Sequence, residues 1–221
     1  YLKDKDVFPL SYDVKSEIRK NVFAMVFHKV GGVIVFGTDN ILISKLVGLT
    51  AVGIYSNYML IRNALNIVTG LIFQSISASF GNLNALAAEE RKRDIFHIIN
   101  FIGAWIFGFC SICLALLINP FISLWLGEAY LFSPPIVFWF VLAFYISGMR
   151  TACLTVRDVM GIFWYDRYKP LFEVSTNIIA SIALGRSFGV AGILAGTVIS
   201  TMTTCFWVEP LVLYRHGLHA P

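Results

Sequence analysis

Six apolar stretches, at residues 21–44, 52–80, 96–118, 136–156, 171–184 and 190–213, follow one another along this chain. All but the fifth reach the ~20 residues needed to cross about 30 Å of hydrocarbon at ~1.5 Å per residue. The fifth crosses only if Arg186 snorkels or if the span begins within residues 166–170. With 57 % hydrophobic and 14 % charged residues and a mean hydropathy of +0.75, a soluble domain of this length is excluded. The expected fold class is all-α: a polytopic membrane protein with a six-transmembrane-helix bundle over 21–214. A cytoplasmic linker or amphipathic segment, 1–20, precedes the bundle, and a cytoplasmic tail, 215–221, follows it.

The basic residues orient this bundle. Twelve of the 17 Lys and Arg residues lie before the first span or after the second, fourth and sixth, and only Lys45 and Arg186 lie in the segments between. The loop at 119–135 carries none. By the positive-inside rule both ends belong in the cytoplasm, which an even number of spans also requires. The Trp, Tyr and Pro residues of 119–135 suit an outer interfacial segment, with Pro134 and Pro135 opening the fourth span. The aromatic stretch 161–170 is the matching anchor on the inner surface.

The net charge of +4 says nothing about nucleic acid, because the basic residues are dispersed among loops rather than gathered on one face. They read as topology determinants that also meet anionic membrane lipids. Cys110, Cys113, Cys153 and Cys205 all fall in apolar spans and read as small packing residues, although Cys110 and Cys113 form a CxxC. No Ser/His/Asp grouping, paired carboxylates or metal-ligand spacing stands out, so neither catalysis nor a cofactor is expected.

Charge within the spans needs a reason, because each buried charge costs several kcal/mol, roughly 2.5–3.5 even on lenient insertion scales. His28 and Asp39 lie on one stripe of the first span, and Lys29 and Asn40 lie beside it, since positions eleven apart differ by only about 20° around a helix. Arg62 lies near the middle of the second span, with Asn63, Asn66, Gly70 and Gln74 running down an adjacent face. Arg62, Asn63, Asn66, Asp39, Lys29 and Arg150 are therefore the candidate cavity or substrate-binding residues. Arg62 suits capture of an anionic headgroup such as pyrophosphate, because its planar fork binds phosphate oxygens bidentately. An Asp39–Arg62 ion pair is the plainer alternative. Asp39 and His28 are candidates for a coupling proton or cation. Glu173 is expected to pair at the inner rim with Arg157 or Arg167, Glu209 reads as a rim residue, and Gly192, Gly196, Ser200 and Thr204 form a small-residue packing face.

Residue 1 is Tyr rather than Met and the chain stops soon after the sixth span, so it is expected to be one half of a larger transporter. The stretch GTDNILISKLVGLTAVGIYSNYMLI at 37–61 resembles the seventh and eighth helices of bacterial polysaccharide flippases. SFGNLNA at 79–85, PFISLWLGEAY at 120–130 and GIFWYDRYKPLFEVSTNIIASIALG at 161–185 are similar to other parts of the same proteins. These are the Wzx-type capsule and O-unit translocases of the multidrug/oligosaccharidyl-lipid/polysaccharide exporter superfamily, and the likeness covers nearly the whole chain. The resemblance implies one lobe, the C-terminal one, of a two-lobe alternating-access transporter in the bacterial cytoplasmic membrane. It implies an undecaprenyl-pyrophosphate-linked oligosaccharide as cargo and an N-terminal lobe as partner, with Arg62, Lys29 and Arg150 as cavity cations. The competing readings are a cation-coupled multidrug exporter of the same superfamily, a polytopic glycan-modifying enzyme, and a structural fragment that assembles with a partner lobe.

Overall fold

Backbone N–H and C=O groups in hydrocarbon find no water, so each crossing segment must satisfy its own. The computed structural model, which describes residues 12–218 apart from the side chains of Asp13, Glu17 and Phe36, is accordingly helical, with no strand among the described residues. The helices are α1 (Tyr12–Leu46), α2 (Leu49–Leu86), α3 (Glu89–Leu126), α4 (Pro134–Met160) and a long fifth element. Five stretches are long and apolar enough to cross a membrane, the last of them Lys169–Gly217 with 49 residues.

That last stretch is two helices. Gly189 has φ 58° and ψ −134°, a non-helical conformation with φ in the left-handed range that glycine tolerates best. The chain folds back there into α5 (169–188) and α6 (190–217). Ser181 Oγ donates to the carbonyl of Ile193 at 3.1 Å, and Asn177 reaches Thr197, so the two arms run antiparallel. α5 begins at Lys169, which supplies the length that its apolar core lacks. α6 is irregular, with π-helical turns at Thr201–Cys205 and Leu213–Gly217.

The small-residue face predicted on the sixth span is used here. A Cβ added at Gly196 would collide with the backbone of Ser181, and one at Gly192 with the carbonyl of Leu184. Gly196→Val should therefore cost about 1–3 kcal/mol or more through overpacking. Thermal unfolding of the detergent-solubilised protein checks this; an unchanged midpoint would contradict the close contact.

α1 and α5 run parallel, with Gly31 against Pro170 and Leu46 against Gly185. The apolar core lies among α2, α3 and α4, where Phe73, Phe107, Phe140 and Phe144 are buried. One three-way cluster fixes the end of this group: Tyr58 Oη donates to Asn119 Oδ1 at 2.6 Å, Asn119 Nδ2 to the Phe132 carbonyl at 3.1 Å, and the Phe132 N–H to Tyr58 Oη at 2.8 Å. Outside the core, Trp105, Phe109, Leu116 and Leu124 are more than half exposed, a surface suited to lipid and not to water.

Three sequence expectations change. Residues 12–20 of the expected linker or amphipathic segment continue without a break into α1. The connection between the apolar stretches 52–80 and 96–118 shrinks to Ala87 and Ala88, because α2 and α3 extend beyond them. Most of 119–126 is also helical, with Pro120 inside α3, which leaves a short linker and one turn, Glu128–Tyr130, before the prolines that open α4. Residues 1–11 of the expected linker and 219–221 of the expected tail lie outside the described residues.

Candidate functional site

A cavity of about 310 Å³ runs between α1, α2, α4, α5 and α6, from the 161–168 loop toward the middle of the bundle. His28, Lys29 and Asp39 line it from α1, Arg62 from α2, Ser147, Arg150 and Arg157 from α4, and Thr197 from α6. Five candidate residues are thus gathered around one space. Asn63 and Asn66 are not among them. Each residue turns a helix by about 100°, so the face that buries Arg62 carries Asn63 away from it, and both amides are exposed on the outer flank of α2. The structure does not bring these two residues to this cavity.

Paired charges fill the half of the cavity nearest the loop. Arg150 holds Glu209 with two bonds, Nε to Oε2 at 2.9 Å and Nη2 to Oε1 at 2.6 Å, and reaches Glu173 Oε1 with Nη1 at 3.3 Å. Lys169 Nζ also donates to Glu209, whose side chain is fully buried. Arg157 spans Asp158 and Asp166, with Nη1 3.0 Å from Asp166 Oδ2, and His28 Nε2 meets Asp166 Oδ1 at 3.0 Å. Glu173 therefore pairs with Arg150 and not with Arg157 or Arg167, and Glu209 is an interior anion and not a rim residue. Arg150 lines the cavity with its fork already occupied, which makes it a scaffold more than a free cation.

Toward the middle the pattern differs. Asp39, only 4 % exposed, accepts a hydrogen bond from Thr197 Oγ1 at 3.0 Å, and Asn177 Nδ2 donates to the same hydroxyl at 3.0 Å. Asn177 is fully buried and its Oδ1 has no partner among the described residues. Arg62, 6 % exposed, donates one long bond to Ser147 Oγ at 3.4 Å and lies 5.9 Å from the centre of the Phe140 ring. Among the described residues no carboxylate comes within 4.0 Å of its nitrogens, Asp39 included, so the plain Asp39–Arg62 ion pair is not formed. Lys29 is exposed at the side of the cavity. No group of three or more metal-ligating side chains occurs among the described residues.

The loop closes the other end. Burial alone would raise the Asp166 carboxyl, but the His28 bond and the charges of Arg157 and Lys169 outweigh it and hold the group below the usual carboxylate range. A carboxyl lowered in the folded state contributes stability that is fully present above its unfolded value, and that stability is lost as pH falls through the lower folded value. Asp166→Asn should remove this contribution. It leaves Arg157 with Asp158 alone and should cost roughly 3–5 kcal/mol at neutral pH. Its unfolding midpoint should then respond less to acidification below about pH 4. Parallel acid titrations followed by thermal unfolding check this, and equal midpoints for variant and parent would contradict it.

Sequence reasoning missed Thr197 and Ser147, which carry no charge, and misplaced Glu209 and Lys169. An acidic residue inside an apolar stretch should have demanded a buried cation, and Arg150 was the candidate at hand. No protein-family model, curated protein or solved structure matches this chain.

Proposed function

We propose that this chain is one lobe of a two-lobe membrane transporter. Its cargo is an undecaprenyl-pyrophosphate-linked oligosaccharide repeat unit, moved from the inner to the outer leaflet of the bacterial cytoplasmic membrane by alternating access. The observation that carries this reading is Arg62, a buried guanidinium at the cavity with no carboxylate within 4.0 Å among the described residues. An unpaired cation in a low-dielectric site favours an anion that its fork can hold, and a diphosphate offers the matching oxygens. Lys29, exposed at the side of the cavity, would draw the headgroup inward. The exposed amides Asn63 and Asn66 on α2 support a partner lobe, since carboxamides at bilayer depth are better placed against protein than lipid. The basic residues at alternate loops support both chain ends in the cytoplasm.

Asp39 is the coupling-ion candidate, and His28, occupied by Asp166, is the weaker one. The same Asp39 supports the second reading, a cation-coupled multidrug exporter. A strain lacking the protein separates the two. Loss of flipping leaves lipid-linked repeat units on the inner leaflet and drug sensitivity unchanged. Drug hypersensitivity with normal surface polysaccharide would favour the exporter and overturn the flippase assignment.

A further inference from the structure

At the cavity, every charged carboxylate but one is already matched: Glu209 and Glu173 by Arg150, Asp158 and Asp166 by Arg157. Among the described residues Asp39 and Arg62 are the buried acid and base left over, Lys29 being exposed at the side of the cavity. They lie on facing helices, both buried, both at the same cavity, with no contact within 4.0 Å. We infer that removing the charge on Asp39 and capturing an anionic diphosphate at Arg62 favour one another. This rests on the proposed role of Arg62 and adds the sign of its coupling.

The argument is electrostatic. While Asp39 is charged, it is an uncompensated anion sharing the cavity with Arg62 and repels any second anion entering there. When a proton or a monovalent cation neutralises it, Arg62 is left without a counter-charge in a poorly solvated site, and an incoming diphosphate supplies one. The other groups facing Asp39 do not replace it. Tyr55 on α2 is a buried neutral phenol, Asn177 on α5 and Thr197 on α6 are amide and hydroxyl, and Arg150 on α4 is held by its two glutamates. Linkage then requires that diphosphate binding raise the affinity of Asp39 for its proton or cation by the same factor. Neutraliser and cargo would load together.

The test uses the purified chain in detergent and inorganic pyrophosphate as probe, followed by titration calorimetry. At pH 8, Asp39→Asn should bind pyrophosphate about tenfold more tightly than the parent, within the usual range of coupled sites. The parent should take up more protons on binding than Asp39→Asn, seen as a difference between buffers of unlike ionisation enthalpy. Protonation of the probe is common to both proteins and cancels. Adding Na⁺ at fixed pH tightens the parent alone if a cation is the neutraliser, whereas only the proton arm responds if it is not. Glu128→Gln, the same charge change in the exposed turn at 128–130 away from the cavity, should alter affinity less than about twofold, because exposed charges are screened.

Equal affinity of Asp39→Asn and parent, with equal proton uptake and no Na⁺ effect, overturns the coupling while leaving Arg62 as the anion site. Should Asp39→Asn fail to fold, the parent's Na⁺ arm and its proton uptake, set against that of the free probe, decide the matter alone. Failure of the parent to bind pyrophosphate, or undiminished binding by Arg62→Ala, overturns the headgroup reading and the coupling with it.

Discussion

Glu209→Leu should leave the protein largely unfolded or aggregated on extraction, with a loss of roughly 3–5 kcal/mol or more. Glu209 is fully buried and satisfies two cations at once, Arg150 through two bonds and Lys169 through a third. Removing it strands Lys169 without an ion pair and leaves Arg150 only the 3.3 Å contact to Glu173. The loss is larger than a single pair would give, because α4, α5 and α6 all meet at this carboxylate. Glu209→Gln keeps the shape and an acceptor but not the charge, and should fall between the two. The double variant Glu209→Leu/Arg150→Met should recover little, because it still strands Lys169 and Glu173. Glu209→Leu/Arg150→Met/Lys169→Met/Glu173→Met should recover much of the stability, since a buried ionic network replaced whole by apolar residues of similar volume is often neutral. Size-exclusion profiles and thermal midpoints in detergent test the series. A Glu209→Leu protein as stable as the parent would show that the network contributes little.

Arg62→Ala should do the opposite: leave the fold intact and abolish transport. The guanidinium has one 3.4 Å bond to Ser147 and no ion pair among the described residues, so its removal breaks little and relieves the cost of burying a lone charge. In cells whose transporter carries this chain, lipid-linked repeat units should build up on the inner leaflet. Surface polysaccharide should drop at least tenfold, the effect of losing about 1.4 kcal/mol or more of binding. Arg62→Lys should restore only part, because an ammonium keeps the charge but not the planar fork. Normal surface polysaccharide with stable Arg62→Ala protein would remove the basis for the assignment.

The bundle was legible in the sequence because hydrocarbon imposes a length on every crossing segment. Even the shortfall of the fifth span was legible, and it was met by starting the helix at Lys169. The polar stripe on α1 was also readable, since His28 and Asp39 recur at helical spacing and both face the cavity. What failed was partner choice. Glu173 could reach several arginines from the sequence alone, and only the packing of α4 beside α5 decides for Arg150. Asn63 and Asn66 stay outside the cavity although Asn66, four residues on, lies only about 40° around α2 from Arg62: both amides are exposed, and helical spacing alone does not tell a buried position from its exposed flank. Thr197 was invisible: a threonine in an apolar helix signals nothing until Asp39 is found beside it at 3.0 Å.

Solvent access beside Arg62 is the point on which the account turns. Ser147, its one hydrogen-bond partner and a residue of the cavity wall, can be replaced by cysteine in a variant whose four native cysteines are serine. A hydrophilic, membrane-impermeant thiol reagent should modify Cys at that position, and pyrophosphate should slow the modification several-fold in the presence of Arg62 but not of Arg62→Ala. A thiol there that stays unreactive in the folded protein would mean a dry interior, and the cavity would carry no headgroup.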